Sequence, residues 1–302
     1  MKKILVPTDF SDISENAVRF ALTFAKKIGA EITLFNSIHY DYFHDYQYGY
    51  HAALQSMIDE IRDASEKRMK DFADKFVGEV KIHTRIEPIS IVSAVKELVE
   101  DEGFDYVIVG THGASGLEEF LIGSNTEKIV RHSPCPVISV PKGAELKEIK
   151  KVLIPIDLRE LRNSFLETVA KIQQIFGCEL EFVWVKTPHN IENEEKVGKE
   201  LAELFKSHGI ENYKFFIVKH VFPTDGILIE ADEIGADMVA MATHARRGIS
   251  HWLSGSMTED TVNHLDIPVW SFRINKEEKV LKLDAVANAK GKPLYKKLDV
   301  VL

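Results

Sequence analysis

Three glycines, and the residues that follow the last of them, are the part of this 302-residue chain whose types and spacing best suit chemistry. In VIVGTHGASGLEEFLIGSNTEKIV, Gly110, Gly113 and Gly123 stand at G-x2-G-x9-G, with Ser124, Asn125 and Thr126 next. Glycine lets a backbone approach a ligand closely and take positive φ without a Cβ clash. If Gly123-Ser124 opens a helix, free amides and the positive end of a helix dipole face any phosphate placed there. The three hydroxyl and amide side chains would add donors. Taken alone, the glycines also suit ordinary turns and caps, and the spacing by itself leaves both readings open. Neither G-x-x-x-x-G-K-[ST] nor G-x-G-x-x-G is present, which disfavours P-loop NTPases and dinucleotide-dependent dehydrogenases.

Such a loop needs a strand before it and a helix after it. Tyr106 to Gly110 is a short apolar run of the kind buried in a parallel sheet, and Asn125 to Arg131 reads as a helix. Upstream, Ile4 to Pro7 is another such strand. Ser11 to Ile28 carries apolar residues at helical spacing, with Ser11 or Ser14 as cap and Gly29 as stop. Strands are expected at Glu31 to Ile38, Val80 to Ile86 and Pro136 to Val140, and helices at Ala53 to Phe76 and Ile91 to Glu102. This alternation predicts βαβ units with right-handed crossovers around a mostly parallel sheet.

The plan occurs twice. Residues 2–9 read KKILVPTD and residues 150–157 read KKVLIPID, an offset of 148, and Gly29 falls on Gly177. Gly123-Ser124 falls on Gly255-Ser256 and Pro136-Val137 on Pro268-Val269 at an offset of 132, so the second copy is 16 residues shorter. The excess is expected near residues 39–54, which hold five of the eight tyrosines. The expected organisation is a first domain over 1–141, a linker over 142–149, a second domain over 150–273 and a tail over 274–302, frayed or docked.

Composition bounds the function. Hydrophobic residues make up 45% and charged residues 28%, the balance of a globular chain, and the net charge of −9 disfavours broad contact with nucleic acid or an anionic membrane. A small phosphate held by backbone amides is still compatible with it. The apolar run after Lys2 and Lys3 is cut by Pro7 and Asp9, too short for a secretory segment. No stretch approaches the roughly 20 apolar residues of a membrane span. Cys135 and Cys178 have no metal-type spacing and are expected as buried, reduced thiols in a cytoplasmic protein.

Together, ILVPTDFS at the start and GTHGASGLEEFLIGSNTEKIVRHSPCPVISVP resemble the universal stress protein family, over about residues 1–141 and again over 150–273. The resemblance implies an α/β fold: two tandem copies of a five-stranded parallel-sheet, Rossmann-like domain of the adenine nucleotide alpha hydrolase-like type. It also implies ATP, with or without Mg²⁺, as ligand. Carried over by motif, Pro7, Thr8 and Asp9 would line the adenine side, and Ser37 would lie near the base. Val109, Gly110, Gly113, Gly123, Ser124, Asn125 and Thr126 would hold ribose and phosphates. Asp9 is equally readable as a turn or cap residue before a helix. Members commonly dimerise through the last strand of the domain. In a fused pair the two copies can meet there within one chain, which would hide an exposed edge and leaves a further homodimer open.

The copies depart from the pattern in opposite ways. The first has Glu118 and Glu119 and no basic residue in the loop, so its nucleotide is expected to lean on amides and Mg²⁺. The second, MATHARRGISHWLSGSMTEDTV, has Ala242 and Ala245 for the first two glycines but supplies Arg246 and Arg247. It reads as a degenerate site kept for packing, or as one still binding through Asp157, Arg246, Gly255 and Ser256. His39, His44 and His51 fit no zinc spacing and suit an aromatic surface loop. His112, His244, His251 and Trp252 read as packing residues. The favoured function is a nucleotide-dependent regulatory module of the stress response. A slow ATPase or phosphotransfer enzyme lacks a visible general base or P-loop lysine. A scaffold without nucleotide would leave the glycine spacing unused.

Overall fold

The computed structural model describes residues 1–38, 51–111, 124–144, 148–243, 265–274 and 277–284. Each copy is a five-stranded parallel unit. The first comprises β1 (Lys2–Pro7), α1 (Asp12–Ile28), β2 (Ala30–Ser37), α2 (His51–Ala73), β3 (Ile82–Glu87), α3 (Ile91–Glu102), β4 (Tyr106–Thr111), α4 (Ser124–His132) and β5 (Val137–Pro141). The second comprises β6 (Lys151–Pro155), α5 (Asn163–Phe176), β7 (Glu179–Lys186), α6 (Glu194–Ser207), β8 (Tyr213–Lys219), α7 (Pro223–Glu233), β9 (Met238–Thr243) and β10 (Val269–Arg273).

The ten strands form one sheet in the order β3-β2-β1-β4-β5-β10-β9-β6-β7-β8. Pairing is parallel within each copy and antiparallel where they meet, with Val269 opposite Ser139, Trp270 opposite Ile138 and Ser271 opposite Val137. Repeat-equivalent strands thus lie side by side at the middle, and the sheet reads the same outward from that seam in both directions.

Local chemistry explains the elements. Ser11 caps α1 by accepting from the amide of Ser14, and Gly29, at φ 67°, closes it in the left-handed region. Ser90 caps α3 in the same way through Ser93, and Gly103 ends it at φ 69°. Phe20, Phe24, Met69 and Phe72 of the first copy and Phe165, Leu201 and Phe205 of the second bury one face of the sheet in a single continuous core. The opposite face is divided: Val95 and Leu98 of α3 pack with Ile129 and Val130 of α4, and Ile227 and Ala231 of α7 form a separate cluster.

Several expectations need correction. α2 begins at His51, so residues 51–54 belong to a helix rather than to the aromatic loop; Ala52, Ala53 and Leu54 are strong helix formers. Residues 39–50 of that loop, with His39 and His44, lie outside the described residues. The first copy's extra length is shared with the helix, because α2 has 23 residues and α6 has 14. Cys178 is buried, whereas Cys135 is only partly so. Burial pushes both thiols up to about 11, so neither is a ready nucleophile at neutral pH.

The segments leaving β5 and β10 dock at matching places. Asn16 Nδ2 donates to the carbonyls of Pro141 and Ala144 at 2.9 and 3.0 Å. At the matching register, the Ser164 amide donates to the Glu278 carboxylate at 3.1 and 3.2 Å, and Leu281 N donates to Leu161 O at 2.8 Å. Residues 277–284 of the tail are therefore docked, with Leu283 buried. Among the described residues no helix is long and apolar enough to cross a membrane.

Candidate functional site

A cavity of about 780 Å³ opens at the carboxyl ends of β1, β2 and β4, where open α/β sheets take ligands. Its first wall is the β1–α1 turn. Pro7 ends the strand, and Phe10 takes φ 67°, a left-handed conformation uncommon for a bulky residue. Contacts on every side hold that turn. Phe10 packs edge-on against Phe72 at 5.6 Å, and the Arg68 guanidinium lies 4.8 Å from its ring centre. The Phe10 amide donates to Thr8 Oγ1 at 3.0 Å. The Thr8 hydroxyl donates to Ser14 Oγ at 2.9 Å, and Ser14 in turn donates to Ser11 O at 2.9 Å. These contacts keep the strained backbone in place.

Asp9 shares this wall. Its Oδ1 accepts from the Ser11 amide at 3.0 Å and the Ser11 hydroxyl at 2.6 Å. Burial opposes its charged form, but these hydrogen bonds outweigh it and hold the carboxyl below the usual carboxylate range. Asp157 in the second copy accepts from the Arg159 amide at 2.9 Å, the same bond at the same register. Shaping the turn is thus a role this aspartate plays in both copies. In the first it also faces the cavity.

The sheet's carboxyl edge forms the floor. Asn36 Nδ2 donates to Thr8 O at 2.7 Å and ties β2 to β1. The Ser37 hydroxyl donates to Ile89 O, which anchors the β3–α3 connection and commits that side chain to the scaffold. Gly110 is needed for packing, independently of any ligand. A Cβ there would lie 2.6 Å from both the carbonyl oxygen and Cγ2 of Ile13 in the first turn of α1. The second copy carries Ala242 at this register and starts α5 three residues further on than α1, so no helical turn stands at the position matching Ile13.

The remaining wall is two helix starts. α3 and α4 pack side by side on the face opposite α1, and both begin at the cavity mouth. Ser90 to Ser93 line it from α3; Asn125, Thr126, Lys128 and Ile129 line it from α4. Thr126 Oγ1 donates to Gly110 O at 3.3 Å, which fixes α4 to the end of β4. The cavity therefore has the Asp9 carboxylate beside the α1 start on one side, and the α3 and α4 starts with Lys128 on the other. Such polarity suits a ligand with hydroxyl or amine donors at one end and an anion at the other.

Of the residues expected from sequence, Pro7, Thr8, Asp9, Ser37, Val109, Gly110, Asn125 and Thr126 converge on this cavity. Ser124 opens α4. Gly113, Gly123, Glu118, Glu119 and His112 lie outside the described residues, as do His244, Ala245, Arg246, Arg247, His251, Trp252, Gly255 and Ser256 of the second copy. Asn36, Ser90, Ser93 and Lys128 went unread in the sequence. The Ser90-x-x-Ser93 cap was a legible signal for one of them, and Lys128, four residues after Ser124, stands one helical turn along the same face.

Known proteins place these features in a lineage. Residues 1–141 and again 148–273 match the model of the universal stress protein family. Two universal stress proteins of Methanocaldococcus jannaschii are 31% identical over 142 residues and 30% identical over 156. These matches span 47% of this chain each, and 82% and 95% of the relatives. The crystal structure of a universal stress protein from Archaeoglobus fulgidus superposes with a TM-score of 0.63 at 22% identity, covering 90% of this chain and 98% of that one. The chain belongs to the universal stress protein family, and carries its domain twice.

Proposed function

We propose that the first copy binds an adenine nucleotide, ATP with Mg²⁺ as counter-ion, and acts as a nucleotide-dependent regulatory module in the stress response, with little or no turnover. The observation that carries this reading is the polarity of the cavity. The α3 and α4 starts, with Asn125 and Thr126, suit phosphates, while Pro7, Thr8, Asp9 and the Ser37 backbone suit ribose and base. A volume of about 780 Å³ is in the range of small-molecule sites. The hydroxyl–carboxylate pair of the described walls, Ser11 with Asp9, belongs to the cap of α1, with Ser11 also accepting from the Ser14 amide, which favours binding over chemistry. In the second copy the two alanines replacing glycines make packing the favoured role.

The test is direct. The purified protein is denatured and the supernatant assayed for nucleotide, and refolded or nucleotide-stripped protein is titrated calorimetrically with ATP and Mg²⁺. Gly123→Val, at the glycine that precedes α4, should abolish the heat. Absence of nucleotide in both assays sinks the proposal in favour of a packing scaffold. Steady phosphate release abolished by Gly113→Val would replace it with an ATPase.

A further inference from the structure

We infer that Lys128 is the residue through which the first copy reads the charge of its ligand's phosphate chain, making the site selective for nucleoside polyphosphates over nucleosides. The inference rests on the nucleotide reading above. The first copy's loop has no basic residue between Gly113 and Gly123, and two glutamates in their place. The structure brings a cation to the cavity from elsewhere: Lys128 lines it from α4, one turn past the helix start, beside Asn125 and Thr126.

Its described neighbours leave that charge unpaired. Glu127 accepts from Arg131 at 3.0 Å, an i,i+4 pair on the helix surface, and among the described residues Lys128 has no ion-pair partner. Its backbone carbonyl contacts His132 Nδ1 at 2.9 Å, so the helix turn beneath it is braced. A lysine on a rigid helix one turn from an anion-binding N-terminus adds a full charge to the partial charges of the amides.

The two copies place their charge differently. At the offset of 132 the second copy carries Asp260 where the first has Lys128, and Arg246 and Arg247 where the first has Ala114 and Ser115. The copies have exchanged positions for their charge: loop cation and helix acid in one, helix cation and acidic loop in the other. In the first copy the cation therefore stands on the helix that lines the cavity rather than in the glycine loop.

The experiment titrates the full chain and its Lys128→Ala, Lys128→Glu and Lys128→Arg variants with ATP, AMP and adenosine. Lys128 is exposed, and thermal melts confirm that each variant is folded. Lys128→Ala should weaken ATP by about tenfold, AMP by less and adenosine not at all. Lys128→Glu should weaken ATP further, and Lys128→Arg should retain most of the affinity. The ATP difference should shrink in high salt. Equal losses for ATP and adenosine, or an unchanged ATP affinity in Lys128→Glu, overturn the assignment while leaving nucleotide binding intact. Failure of the wild type to bind any of the three overturns both.

Discussion

Asp9 shows how one side chain can serve fold and site together. Its carboxylate takes two hydrogen bonds from Ser11, and the matching Asp157 repeats one of them in a copy where Ala242 and Ala245 replace the first two glycines. The turn therefore needs an acceptor at this register whatever the ligand. Because the Ser11 bonds hold the folded carboxyl below its ordinary 3.8, its contribution is present above that value and is lost as pH falls through the lower folded value. Asp9→Ala should cost about 0.5–1 kcal/mol at neutral pH, the range of a lost cap on an exposed side chain. The gap between wild type and variant should close as pH drops below 3.8. Urea denaturation at a series of pH values measures that gap, and a gap unchanged from neutral pH down to pH 2 would count against this account.

At the scale of elements, the cavity is set by how closely α1 approaches the end of β4. Gly110 is the contact point, with no room for a Cβ beside the Ile13 carbonyl. Gly110→Ala should cost about 1–3 kcal/mol, because relief requires the first turn of α1 to move. In a double-mutant cycle, Ile13→Ala should relieve only part of the strain, since the backbone oxygen stays in place. A Gly110→Ala variant within 0.5 kcal/mol of wild type by denaturant melts would refute the close-packing argument. This contact also marks the boundary of what the sequence made legible. Alternating apolar runs, Ser11 as cap and Gly29 as stop report on neighbours a few residues away, and the helix they bound is the one found. The approach of Ile13 to Gly110 spans almost a hundred residues and has no local signature, so in the sequence the glycine reads as part of a ligand loop or of an ordinary turn. Lys128 escaped for the converse reason: one turn inside a helix it resembles any solvated lysine until the sheet brings α3 and α4 together at one mouth. The shared lengthening of α2 is invisible in an offset count, which locates missing residues only between two aligned anchors.

At the scale of the whole molecule, the seam between β5 and β10 joins the two copies through a shared core rather than by backbone pairing alone. Trp270 belongs to the second copy, yet it lies 5.7 Å from Phe24 and 5.4 Å from Tyr106 of the first, each edge-on, and 6.1 Å from Phe176 of its own. Phe24 also stacks on Phe176 across the seam at 6.0 Å. These four rings close the middle of the one core that runs under both copies, whereas the cores on the opposite face stop at the seam. Trp270 is 1% exposed, so truncation leaves a large cavity, and Trp270→Ala should cost about 3–5 kcal/mol. The location of that cost is the stronger prediction. A side chain from the second copy should govern the stability of the first, lowering hydrogen-exchange protection of β4 and α1 as much as that of β9 and β10. Exchange measured by mass spectrometry on wild type and variant decides it. If protection falls only in β9 and β10, the copies are energetically separate and the antiparallel seam is a contact between independent domains. If it falls on both sides, the fused pair unfolds as one unit, and a change of packing in the second copy has a physical route to the cavity wall that α1 forms in the first.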